Sequence, residues 1–138
     1  RAGLSYGVGS SLQEDNSREG RDDNGFLVIQ AIAAPQNIDA VEAAVREEFA
    51  RLVRDGVTEQ EVRDAVAARL SARQQGRAED AVVASIVGNH MQYGRDWPFE
   101  ASRDAAYSTL TAAQVNAAIR KHFKPEALSV FVAGDFRE

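Results

Sequence analysis

The chain holds two histidines, His90 and His122, far apart in sequence. A catalytic zinc ordinarily takes three protein ligands, with His and Glu or Cys the common set. Neither histidine has a second His or an acidic partner at H-x-x-E-H or H-E-x-x-H spacing, so no metal site is expected in these residues. His90 falls four residues after Ile86 on an apolar helical stripe and reads as a hydrogen-bonded core or boundary histidine. His122 follows Lys121 in a helix's last turn, where such side chains complement the helix terminus. Nucleophiles are no better represented: there is no Cys and no G-x-S-x-G elbow. Gly7-Val8-Gly9 fails as a phosphate loop because Leu12 stands where the last glycine belongs and no helix follows. The carboxylates Glu14/Asp15 and Asp22/Asp23 lie in a hydrophilic stretch and read as solvated charge, not as an acid/base pair. Asp22-Asp23-Asn24-Gly25 lacks the spaced oxygens and closing Glu of a calcium loop. The residues carry no self-sufficient active site.

The surroundings of these residues narrow the classes further. Sixteen Lys+Arg and twenty-one Asp+Glu leave a net charge of −5 with the signs interleaved, which excludes a nucleic-acid surface. Zero cysteines exclude a disulfide scaffold. No apolar run approaches the roughly 20 residues that span a bilayer. A length of 138 residues suits a single domain over 1–138. The opening Arg-Ala-Gly, in place of an initiator Met, reads as the start of an excised piece. Richness in Ala, Arg and Asp suggests a bacterial source.

The elements that would position any site follow from periodicity. Residues 3–12 alternate apolar with small or polar side chains, as a half-buried strand does, and their three glycines mark places of close approach. Residues 13–25 form a polar loop ending in the turn dipeptide Asn24-Gly25, and Phe26 to Ala34 make a second strand, closed by Pro35. The two strands are expected to pair antiparallel.

Asn37 is placed to cap a helix with Ile38, Val41, Val45, Phe49 and Leu52 on one stripe, stopped by Gly56. Thr58 with Glu61 forms a capping box for the next helix. A polar break is expected around Gln74–Arg77, before a third helix containing Val82, Ile86 and Met91. Pro98 suits the first turn of a fourth helix, and Thr111 with Gln114 caps a fifth ending near Phe123. Leu128 to Ala133 is expected to return as a strand. The order predicts an α+β fold, a mainly antiparallel sheet with helices packed on one face.

One ordered set of segments goes beyond periodicity. Gly3-Leu4-Ser5-Tyr6-Gly7-Val8-Gly9-Ser10 closely resembles the GLSYGV-S signature in the C-terminal half of pitrilysin/insulinase-type zinc metallopeptidases, the family that includes mitochondrial processing peptidase. Ala34-Pro35, the following helix, Gly56-Val57-Thr58-Glu59-Gln60-Glu61-Val62, Leu110-Thr111-Ala112-Ala113-Gln114-Val115 and Leu128 to Asp135 resemble the family's later segments in the same order.

The resemblance implies a two-part enzyme. Its N-terminal half carries H-x-x-E-H and the zinc; its C-terminal half has lost those ligands and closes over the peptide substrate. By this resemblance the chain is the inactive, substrate-binding half, truncated at its N-terminus, without cofactor of its own and inactive alone. Tyr6 is the catalytic candidate, its phenol donating to the substrate carbonyl or oxyanion, and Gly3, Leu4 and Ser5 with Tyr6 are the substrate-binding set. The family's partner arginine falls upstream of residue 1, and Arg1 does not take its place. Expected partners are the catalytic half or subunit and a peptide. A sheet lacking its first strand would also have an open edge, through which the chain could pair with the missing segment or form a homodimer. The alternative is a non-proteolytic scaffold subunit of the same fold. Bacterial periplasm or cytoplasm is the expected compartment.

Overall fold

The computed structural model describes residues 3–14 and 25–134. They divide into two compact units: residues 3–14, 25–56 and 119–134 form the first, and residues 57–118 the second. The fold is α+β, with five α-helices and one two-stranded sheet among the described residues.

In the first unit, β1 (Ser5–Glu14) pairs antiparallel with β2 (Gly25–Ala33). The strands run further toward their connection than the polar composition predicts. Residues opposite one another in an antiparallel ladder share a face. One face therefore carries Val8, Ser10 and Leu12 with Ala31, Ile29 and Leu27. The other carries the pairs Gly7–Ile32, Gly9–Gln30, Ser11–Val28 and Gln13–Phe26. A short 3-10 turn, Pro35–Asn37, leads into α1 (Ile38–Asp55), whose Val41, Val45, Phe49 and Leu52 share a groove with Leu27 and Ile29 of the first face. Phe49, almost wholly enclosed, meets Phe123 with ring centroids 5.7 Å apart and planes tilted by 49°, a favourable aromatic geometry. Gly56 ends α1 at φ 74°, where a side chain would be strained.

The second unit begins with α2 (Glu59–Gly76), whose Thr58–Glu61 capping box forms as its sequence predicts. α3 (Asp80–Tyr93) and α4 (Trp97–Ser108) follow, the latter capped by the Asp96 carboxylate accepting from the Phe99 amide at 2.8 Å. The Thr111–Gln114 box opens α5 (Ala112–His122), within which the two units divide. The start of α5 is tied to α2: the Ala112 amide donates to Glu59 at 3.1 Å, and Asn116 exchanges two hydrogen bonds with the Val57 backbone.

Three expectations are corrected. Leu128–Ala133 joins no ladder among the described residues and follows a second 3-10 turn, Pro125–Ala127, leaving Phe131 93% exposed. Its alternation supplies strand propensity, but a strand also needs a partner. The break expected at Gln74–Arg77 moves past Gly76, because Gln and Arg are good helix formers and polarity alone does not end a helix. Asn37 precedes α1, but its side chain caps nothing there; it reaches instead to β1.

Candidate functional site

Gly3 enters the first strand at φ 67°, a turn that only glycine makes without strain. The Asn37 side-chain amide donates to the Leu4 carbonyl at 3.2 Å and fixes the chain just before β1. Ser5 then pairs with Ala33 and Gly7 with Ile32, so Tyr6 is the extra residue of a β-bulge. Such bulges re-aim a side chain and disrupt the local ladder. Tyr6 is 82% exposed. A Cβ placed on the neighbouring Gly7 would meet no atom within 4 Å, so the backbone beside Tyr6 is open to close approach.

The four residues expected to hold substrate thus divide. Gly3, Leu4 and Ser5 line an apolar groove of about 700 Å³ between the hairpin and α1, with Val45, Phe49 and Leu52 opposite. Tyr6 is not among its lining residues. Backbone adjacency and the bulge link the two places. Arg1 and the acidic residues Asp15, Asp22 and Asp23 lie outside the described residues, as does the side chain of Glu14.

The second unit has a charged centre that motif reasoning missed. Glu100 on α4 is 7% exposed. Its Oε2 accepts from Arg73 of α2 at 2.6 Å, while Oε1 lies 3.6 Å from Arg103. Arg73 and Arg77 both donate to Asp104, one turn further along α4. Burial works against the charge on Glu100, but the Arg73 hydrogen bond, with Arg103 nearby, holds its carboxyl below the usual range. Burial likewise opposes charge on Asp104, and Arg77 and Arg73 bring it below its ordinary value. The available signal was the matched spacing of Arg73/Arg77 and Glu100/Asp104, each i,i+4, readable only once α2 and α4 are known to pack.

This cluster has the chemistry of a clamp. Its carboxylates are held ionised and engaged by arginines, which suits neither a proton donor nor a cation ligand. His90 lies at its edge, Nε2 buried and 3.5 Å from Glu100 Oε1, with its ring edge-on to Trp97 at 5.2 Å. His90 is a largely buried side chain on α3, as expected of a core or boundary histidine, but the hydrogen bond expected of it is not formed at Nε2. His122 stands in the basic last turn of α5 with Arg120 and Lys121. No group of three or more His, Cys, Asp or Glu among the described residues could hold a metal ion. A smaller apolar groove of about 460 Å³ is lined by Val62, Val66, Leu110 and Val115, with Arg69 and Tyr107 on its wall. Arg103 lowers the Tyr107 phenol below its ordinary pKa by a hydrogen bond.

No helix among the described residues is long and apolar enough to cross a membrane. Among known proteins, the family model described as the peptidase M16 inactive domain matches residues 1–69, which cover the hairpin, α1 and the first part of α2. No curated protein and no solved structure matches the chain.

Proposed function

The chain belongs to the family of the peptidase M16 inactive domain, and from that premise we propose that it holds peptide substrates for hydrolysis at a zinc site carried by a catalytic half. The observation that carries this reading is the placement of Tyr6: on a bulge, outside the apolar groove, and beside bare glycine backbone. In this reading the Tyr6 phenol donates a hydrogen bond to the scissile carbonyl as negative charge develops on its oxygen. The metal, held by the other half, would polarise the carbonyl and activate water. Gly3, Leu4 and Ser5 position Tyr6 from the groove side, and the Asn37 amide anchors them at Leu4. The described sheet has only two strands, and its outer edges offer a place for a further strand from the catalytic partner or from a second copy.

Reconstitution tests this. The chain with zinc alone should leave an internally quenched peptide intact, and adding a subunit with an intact H-x-x-E-H should start cleavage above that subunit's own rate. No gain on mixing would overturn the substrate-holding role and leave a scaffold subunit of the same fold.

A further inference from the structure

We propose that the face of the β1–β2 hairpin turned away from α1 binds an uncharged, apolar stretch of the peptide substrate, running from Tyr6 along the strands. The proposal rests on the substrate-holding reading above and names the substrate class. In a chain with 27% charged residues, the four pairs from Gly7–Ile32 to Gln13–Phe26 carry no charge. Tyr6, Ile32 and Phe26 are exposed apolar groups at either end of this face. Its other side is already occupied by α1.

The relief of the face suits an extended chain. A Cβ on Gly9 would sit 3.6 Å from the Gln30 amide nitrogen, so the Gln30 side chain lies over that glycine and offers the one amide group at mid-face. Nothing lies over Gly7, where the bare backbone leaves a shallow place between Tyr6 and Ile32. An apolar residue seated there loses water from both surfaces at once. A Lys or Glu laid on the same surface would lose hydration with no opposite charge to meet it among the four described pairs. The face is therefore selective by what it lacks.

The test uses short fluorescent peptides, identical except for a central Leu-Val-Phe, Lys-Lys-Lys or Glu-Glu-Glu, titrated against the full chain. The apolar triplet should bind at least about tenfold more tightly than either charged one, with amide shifts at Gly7, Gly9 and Gln30. Ile32→Lys should then favour the Glu triplet and Ile32→Glu the Lys triplet; Ile32 is exposed enough for both variants to fold. Equal binding of all three peptides, or a preference unmoved by both substitutions, would overturn the proposal. Tyr6→Phe in the reconstituted enzyme separates the two ideas. If it lowers turnover while the Ile32 variants change no preference, only the apolar face is refuted. If it is inert and no peptide binds, the substrate-holding reading falls as well.

Discussion

The side-chain amide of Asn37 donates to the Leu4 carbonyl at 3.2 Å, joining the lead-in to α1 to the start of β1 two residues ahead of Tyr6. A residue whose position suggests a helix cap thus fixes the strand that bears the candidate tyrosine. Asn37→Ala should cost about 1 kcal/mol and lower the melting temperature by about 4 °C. It should also speed amide exchange at Ser5 and Tyr6. Unchanged exchange there would show that the contact does not anchor the bulge.

Tyr6→Phe removes one hydroxyl from a side chain that packs little. Its fold and melting temperature should match the parent, since the ring is 82% exposed. In the reconstituted enzyme, kcat should fall by about 10²–10³, the usual effect of losing one oxyanion donor, with KM little altered. Steady-state kinetics on a single quenched peptide decides it.

Glu100→Ala leaves Arg73 largely enclosed with only Asp104 to pair it, and should cost about 2–4 kcal/mol. Replacing the Arg73–Glu100 pair with two leucines should recover much of that loss, because apolar groups need no counter-charge. Urea unfolding of the two variants measures both values. A Glu100→Ala chain as stable as the parent would mean the clamp contributes nothing.

Both clamp carboxyls sit below their ordinary values in the folded chain. Between the folded values and the unfolded value near about 4, the unfolded chain binds more protons, so stability rises with pH in that window. The clamp's contribution is complete above the ordinary carboxylate range and is lost as pH falls through the folded values. Urea midpoints measured downward from pH 6 should show this decline, and a Glu100→Gln, Asp104→Asn chain should show less of it.

The elements whose evidence is local were legible. The hairpin follows from alternation, α1 from its Val41, Val45, Phe49 and Leu52 stripe, and the starts of α2 and α5 from their capping boxes. The missing information is tertiary. Leu128–Ala133 has a strand's composition, yet pairing is settled by a neighbour and not by the segment itself. Asn37 could be recognised as a boundary residue, but its partner lies 33 positions away. Glu100 carries no signal of its own in the sequence, because nothing in its own turn reveals the two arginines of α2 that meet this helix. Tyr6 was legible only as one member of a motif, and the bulge that sets it apart from its strand depends on the register with β2.

The stretch Leu-Ser-Val-Phe-Val-Ala after the second 3-10 turn, which joins no ladder among the described residues, also bears on how the molecule behaves in concentrated solution. It is uncharged, β-rich and free of proline, the composition of a steric-zipper segment. Lys124 and Pro125 stand just ahead of it as gatekeepers, one by repulsion and the other by denying a ladder hydrogen bond. Phe131, 93% exposed, is the side chain most open to a second copy of this stretch, and Phe131→Lys should lower any tendency to associate through it.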